Sequence, residues 1–125
     1  MTKICTDVKQ SRKLIELGID EDTSDMVYLR SYFEDEGKYN LLVGSYHEGY
    51  AEKDDGTLVP VFDEHIPAWS LTALLDILTE QAFTIKAIEN EFNIDIPIRH
   101  CKIWFSSLLD AAFEMVVWLK KNNKI

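Results

Sequence analysis

The residues best suited to chemistry are one histidine–cysteine pair and one pair of carboxylates. His100 and Cys101 are neighbours, and an imidazole can activate a thiol for nucleophilic attack. Adjacent residues on a strand point to opposite faces, so these two side chains cannot serve each other as base and nucleophile. Asp110 and Glu114 are four residues apart, which places two carboxylates on one face of a helix. No third acid or histidine joins them at helical spacing, so we interpret them as the solvated stripe of a buried helix.

Cys101 is interpreted as a buried structural thiol. Strand alternation places it on the same side as Ile103 and Phe105, which we expect to face inward. Catalytic partners need not be close in sequence, so a pairing of Cys101 with His47 or His65 is left open.

Other motifs that carry chemistry are missing from the sequence. Its five glycines are isolated, with no GxGxxG or GxxxxGK spacing for a phosphate and no GxSxG nucleophile elbow. The two cysteines and three histidines never form the close pairs that a zinc site requires. The acidic stretches at residues 54–55 and 63–65 lack the residue order of a calcium loop. The sequence therefore predicts no catalytic residue, no cofactor and no metal site.

Aromatic and histidine side chains in polar stretches suggest a contact surface instead. Tyr46, His47 and Tyr50 lie in a polar segment, where aromatic residues either bind partners or anchor a loop onto a sheet. His65 ends the acidic run before the middle helix. Trp104 is out of phase with its inward-facing neighbours, which predicts a position on the exposed face of a sheet. We predict these five residues as an interaction surface.

Composition favours an acidic globular protein with a protein partner. The chain has 125 residues, 46% of them hydrophobic, which suits a single domain spanning residues 1–125. Its formal net charge of −9 repels phosphate backbones, so we expect no direct contact with nucleic acid. A charge of this sign suits a basic partner, and a homodimer is also compatible with the sequence.

The sequence also predicts a cytoplasmic protein without a membrane contact. The first residues lack the apolar core of a signal peptide. The most apolar window, from Leu108 to Leu119, is interrupted by Asp110 and Glu114 and is too short to span a bilayer. Cys5 and Cys101 are far apart and have no CxxC partner, so a disulfide between them stays open.

The N-terminal half predicts one helix followed by hairpins. Asp7 caps a helix, with Gln10 placed to complete a capping box, and Gly18 ends it in the left-handed conformation. Residues 26–33 fit a helix or a strand, and we favour a hairpin that joins them to residues 39–43. Asp54-Asp55-Gly56 predicts a turn, across which residues 57–59 pair with the preceding chain.

The second half predicts a helix, a meander and a last helix. Pro67 biases Ile66 towards extended backbone, and Ser70 caps a helix whose apolar stripe comprises Leu71, Leu74, Leu75 and Leu78. Alternation over residues 83–87, 92–98 and 101–105 predicts three antiparallel strands. Ser107 begins a last helix that is apolar nearly all round, so it should occupy the centre of the core. The fold class is therefore α+β, an antiparallel sheet with about three helices packed on it.

Two helical stretches, Ile66–Leu75 and Leu109–Leu119, together with the opening Ser11–Asp20, resemble a family of small uncharacterised proteins frequent in gut Bacteroides genomes. Members are often encoded near prophage or mobile elements. The matching residues are helix and cap residues in order along nearly the full length, and residues 26–64 match least. The resemblance implies a shared fold and a mobile-element setting, and it brings no ligand or catalytic residue.

These observations together favour a non-catalytic interaction protein, an accessory or decoy factor of a mobile element. An acidic surface can imitate nucleic acid towards a basic partner, which predicts salt-sensitive binding. The alternative is a small-ligand-binding or enzymatic domain that uses the segment from Tyr46 to His65. A homodimer through an open sheet edge or through Trp104 is the third interpretation.

Overall fold

The protein is described by a computed structural model over residues 3–31, 39–44, 50–60, 62–100 and 102–125. Three α-helices and one 3-10 helix form within these ranges: α1 (Val8–Glu16), the 3-10 helix (Glu21–Thr23), α2 (Leu71–Leu78) and α3 (Leu108–Lys121). The strands are β1 (Met26–Ser31), β2 (Asn40–Val43), β3 (Tyr50–Glu52), β4 (Leu58–Pro60), β5 (Phe62–Ala68), β6 (Thr84–Ile88) and β7 (Glu91–Asp95).

All strand pairs are antiparallel, which confirms the predicted α+β class with three helices. The strands are divided among three small sheets, with orders β2-β1-β5, β3-β4 and β6-β7. In the largest sheet Val27 lies opposite Leu42 on one side and opposite Pro67 on the other. Proline has no N–H to donate, and β5 can hold Pro67 because this strand pairs on one side only in its sheet.

The two N-terminal hairpins follow the predicted pairing. Residues 26–31 form a strand that pairs with β2, which resolves the ambiguity between helix and strand. The expected turn at residues 36–37 lies outside the described residues. Around Asp54-Asp55-Gly56, strands β3 and β4 pair as expected. Gly56 has a φ of +84°, and Asp55 Oδ1 accepts a 2.9 Å hydrogen bond from the Thr57 N–H.

The prediction of a third strand in the C-terminal meander is wrong. Strands β6 and β7 pair as expected, but the chain then turns at once, and Ile96 and Arg99 exchange backbone hydrogen bonds of 3.1 and 3.0 Å. Pro97 favours this turn, because its fixed φ and missing N–H interrupt a strand ladder. Phe105 returns to the hairpin through two backbone hydrogen bonds with Phe92 of 2.7 and 2.8 Å, and the Ile103 carbonyl accepts a 2.9 Å hydrogen bond from Asn93 Nδ2 on β7.

Loss of that strand also changes which side chains face inward. Ile103 was expected to be buried, yet it is 60% exposed, and Ile98 is 53% exposed. Cys101 lies outside the described residues, so its predicted burial stays a prediction. The alternating pattern is present in the sequence, but the described residues 102–105 form only an isolated bridge at Phe105 and no strand.

Helix ends follow the sequence signals closely. Asp7 and Gln10 form the complete capping box of α1, with hydrogen bonds of 2.7 and 3.1 Å. Ser70 accepts the Ala73 N–H at the start of α2, and Ser107 accepts the Asp110 N–H at the start of α3. After α1 the chain reverses at Gly18, whose φ is +88°; this is the left-handed end that the sequence predicted.

Helix α3 is central to the main core, as predicted. Eight of its residues are buried, among them Ala112, Val116 and Leu119, which are fully inaccessible. They share one cluster with Leu14 of α1 and with residues of α2 and β7. Within the described residues, no helix is long and apolar enough to cross a membrane.

Candidate binding cleft

Three of the five predicted interaction residues are described by the structure, and they lie in separate parts of the fold. Tyr46 and His47 lie outside the described residues. Tyr50 is 57% exposed on β3, and His65 is exposed on β5. Trp104 is half-buried in the irregular segment between β7 and α3. The three described residues therefore belong to three different parts of the fold.

The paired carboxylates of α3 have different surroundings. Asp110 Oδ1 accepts hydrogen bonds from Gln10 Nε2 at 2.8 Å and from Lys3 Nζ at 3.2 Å. It therefore fastens the N-terminal segment to α3 rather than completing a capping box with Ser107. Glu114 is exposed, as a solvated stripe requires.

The described cysteine is a structural thiol. Cys5 is free and 4% exposed, and its Sγ lies 3.5 Å from the Tyr28 hydroxyl. Burial raises the pKa of the Cys5 thiol, so the reactive thiolate is scarce at neutral pH. Cys5 is therefore a poor nucleophile.

A compact ionic cluster joins α1 to the largest sheet. Glu64 on β5 accepts hydrogen bonds from Arg12 at 3.0 Å and from the Tyr39 hydroxyl at 2.9 Å, and Arg30 lies 3.6 Å away. Partial burial acts to raise the pKa of Glu64, but the hydrogen bonds and the two guanidinium charges outweigh it and lower the pKa. The ionised carboxylate therefore stabilises the fold.

The ionic cluster around Glu64 makes the free energy of unfolding depend on pH. The folded-state pKa of Glu64 is below its ordinary value of 4.5, so its stabilisation is fully present above that value. It is lost as the pH falls through the lower folded-state pKa. We expect the stability difference between wild type and Glu64→Gln to shrink between about pH 5.5 and about pH 3. Urea unfolding of both proteins at several pH values measures it, and a difference that stays constant over this range would contradict the role given to Glu64.

A buried polar junction holds the start of α2 against the N-terminus. The Trp69 N–H donates to Thr6 Oγ1 at 3.1 Å, and the Thr6 N–H donates to the Trp69 carbonyl at 2.9 Å. Both oxygens of the Asp25 carboxylate bind Ser70, one its backbone N–H at 2.9 Å and the other its hydroxyl. The Ser70 hydroxyl also caps α2, so its role is structural.

The same junction fixes the acidic segment that follows α1. The indole N–H of Trp69 donates to Thr23 Oγ1 at 2.9 Å, and this hydroxyl donates to the Asp20 carbonyl at 2.6 Å. Asp20 Oδ1 accepts the Asp22 N–H at 2.9 Å, which caps the 3-10 helix. The acidic segment is therefore held in one conformation by a buried tryptophan.

This ordered segment forms one wall of a cleft of about 670 Å³, which we call the acidic cleft. Helix α2 forms the opposite wall, and the C-terminal end of α3 closes one end. The lining residues are Gly18, Ile19, Asp20, Asp22, Thr23, Ala73, Asp76, Ile77, Thr79, Glu80, Lys120 and Ile125. The volume lies within the usual range of ligand-binding pockets.

Charge in the acidic cleft is strongly unbalanced. Four carboxylates, those of Asp20, Asp22, Asp76 and Glu80, face one ammonium group, that of Lys120. In the described parts of the chain none of the four forms a salt bridge. The Lys120 stem packs beside Gly18, where a Cβ atom would lie 3.7 Å from Lys120 Cε. The four acidic side chains of the lining therefore outnumber its one basic side chain, an imbalance that favours a bound cation.

Two of these carboxylates lie at the C-terminal end of α2, where the helix dipole disfavours a negative charge. Asp76 lies in the last turn of α2 and Glu80 follows its C-cap, Thr79, where the helix dipole is negative and favours cations. The two are also four residues apart, a spacing at which like charges repel. No basic residue stands in the last turn of α2. The position of these acids therefore weakens the helix, as is common at functional sites.

Sequence inspection alone did not single out the acidic cleft. Neither residues 20–25 nor Asp76 were among the residues that the sequence marked as candidates for binding or chemistry. The usable signal was the pair of acids at the C-terminal end of α2 without a compensating lysine or arginine. Within the described residues, no group of three or more histidine, cysteine or acidic side chains is arranged to hold a metal ion.

Comparison with models of known protein families, with curated proteins and with solved structures gives no match. Function is therefore inferred from the chemistry of the acidic cleft.

Proposed function

We propose that this chain is a non-catalytic binding protein whose acidic cleft takes up lysine or arginine side chains of a basic protein partner. The observation that carries the proposal is the group of four carboxylates around one concave surface, none of which forms a salt bridge with a described residue. The surrounding wall is ordered by the hydrogen bonds of Trp69 and Thr23, so little conformational entropy is lost on binding.

The lining chemistry suits a long cationic side chain better than a bare ion. Ile19, Ala73 and Ile77 supply apolar wall, and Asp20, Asp22, Asp76 and Glu80 supply the anionic rim. Lysine and arginine bury their methylene stems along apolar surface while the charged end stays with polar groups. The apolar wall can therefore contact the methylene stem, and the anionic rim can contact the charged end.

A protein partner with a basic surface fits the setting that the family resemblance implies. Proteins that bind nucleic acid carry clusters of lysine and arginine, and an accessory factor of a mobile element would meet them. Binding of this kind is governed by charge, so it weakens as salt rises.

A lysine peptide tests the proposal without knowledge of the natural partner. We expect an acetylated tetralysine amide to shift the backbone NMR resonances of residues 19–23 and 73–80 in a saturable way. In the variant Asp76→Asn/Glu80→Gln we expect binding to weaken about 2- to 30-fold, because each exposed ion pair contributes about 0.2–1 kcal/mol. An acetylated tetraserine amide should leave the resonances in place.

The matched control is Asp54→Asn/Glu89→Gln, which makes the same two chemical changes at exposed positions outside the acidic cleft. Equal weakening in both variants would show that only net charge matters and would contradict the proposal. The cleft variant should also unfold at higher urea concentration, because removing anions near the C-terminal end of a helix relieves about 0.3–1 kcal/mol of unfavourable interaction. A gain in stability together with a loss of binding separates the effect from misfolding.

A further inference from the structure

The solvent-facing side of α1 carries the opposite charge to the acidic cleft. Lys9, Arg12, Lys13 and Glu16 follow one another at positions i, i+3, i+4 and i+7, which form one stripe of a helix. The other side of α1 is buried through Ser11 and Leu14. We call these four residues the basic stripe. Three cations and one anion give it a positive charge within a chain of net charge −9.

The basic stripe borders a groove of about 770 Å³ between α1 and α3. Val8 and Phe113 contribute apolar surface to this groove, and Glu114 of α3 also lines it. Arg12 already binds Glu64, but Lys9 and Lys13 form no salt bridge with any described residue. Two ammonium groups on a well-formed helix are therefore available to an anionic surface.

We propose that the basic stripe docks into the acidic cleft of a second copy of this chain, so that copies associate head to tail. This inference rests on the proposed function, because it names the partner of the same cleft. The ammonium groups of Lys9 and Lys13 would meet a surface with four carboxylates and one ammonium group. Charge complementarity of this kind fixes the orientation of a contact.

Shape supports the same pairing. Lysine side chains project from a convex helix, and the acidic cleft is concave. The 3-10 helix at the rim of the cleft exposes Glu21 and Asp22, which can enter the groove beside the basic stripe of the neighbouring copy. Each contact would then join the basic stripe of one copy to the acidic cleft of the next, and leave the other half of each copy free for a further neighbour.

Salt dependence distinguishes this contact from an apolar one. Two copies of net charge −9 repel each other, and added salt screens that repulsion. Association through a sheet edge or through Trp104 would therefore strengthen as salt rises. Docking of the basic stripe into the acidic cleft should instead weaken, because its attraction comes from opposite charges in contact.

Sedimentation velocity over a concentration series tests the inference. At about 50 mM salt we expect the weight-average sedimentation coefficient of the wild type to rise with concentration, and at about 300 mM salt we expect a smaller rise. The cleft variant Asp76→Asn/Glu80→Gln and the stripe variant Lys9→Gln/Lys13→Gln should each stay close to the monomer. The matched control Lys102→Gln/Lys121→Gln should behave as the wild type.

Mixing the two variants gives the decisive result. Each variant keeps one intact half of the contact, so an equimolar mixture should form a complex of two copies and no larger species. A mixture that stays monomeric while the wild type associates would overturn the inference, as would association that strengthens with salt. A wild type that binds the tetralysine peptide but stays monomeric would overturn this inference alone. A wild type that neither binds the tetralysine peptide nor associates would overturn the proposed function as well.

Discussion

Replacement of Trp69 by alanine is expected to lower the free energy of unfolding by about 3–5 kcal/mol. Trp69 is fully buried in the main core, so its removal leaves a large cavity beside α2. Its indole N–H also holds Thr23, and this bond is lost together with the packing. Small domains have about 5–15 kcal/mol of stability in total, so the variant should be partly unfolded at moderate temperature. Urea unfolding followed by far-UV circular dichroism measures the loss.

Trp69→Phe is the matched control for this effect. Phenylalanine keeps most of the buried ring but cannot donate a hydrogen bond to Thr23, so we expect a loss of about 1–2 kcal/mol. The alanine variant should also show altered resonances for residues 20–23, since the acidic segment is tied to the indole. A loss below about 1 kcal/mol for Trp69→Ala would contradict the assigned packing.

Replacement of Thr6 by valine is expected to lower the free energy of unfolding by roughly 2–6 kcal/mol, although the two side chains have nearly the same shape. Thr6 is fully buried, and its hydroxyl pairs with Ser11 Oγ at 2.7 Å and accepts the Trp69 N–H. Valine would strand both of these buried groups, at about 1–3 kcal/mol each. Urea unfolding of the wild type and the Thr6→Val variant measures this loss of stability.

Ser11→Ala provides the comparison for Thr6. It removes the hydroxyl partner of Thr6 but leaves the Thr6 oxygen bound to the Trp69 N–H. We therefore expect a loss of about 1 kcal/mol, well below that of Thr6→Val. Similar losses in the two variants would show that the Trp69 N–H does not depend on Thr6.

Local features of the fold could be predicted from sequence because their causes are local. Asp7, Ser70 and Ser107 each satisfy backbone groups three residues away, and Gly18 supplies a positive φ within the chain itself. The hairpins around residues 54–56 and 89–90 follow from the same short-range geometry. Such interactions need no knowledge of distant residues.

The missed features depend on contacts between distant parts of the chain. Residues 66–68 were expected to be extended, but their pairing with β1 depends on residues 26–28, about forty positions earlier. The predicted third strand failed because alternation cannot show that Ile96 and Arg99 close a turn. Ile103 looked inward by periodicity and is exposed, because no strand forms around it.

The candidate site was the least predictable part. Tyr50, His65 and Trp104 attracted attention through residue type, yet they lie on separate elements. Asp20 and Asp22 meet Asp76 and Glu80 only because Trp69 anchors the 3-10 helix beside α2. A charge cluster assembled across about sixty residues leaves no spacing in the sequence that could reveal it.

The central position of α3 has a consequence for folding. Leu14 and Trp69 share a core with Met115 and Leu119, so the apolar surfaces of α1 and α2 are covered only when residues 108–121 pack against them. Contacts of such long sequence separation slow folding, since loop closure precedes the gain from burial. We therefore expect the main core to form in one late, cooperative step that requires α3.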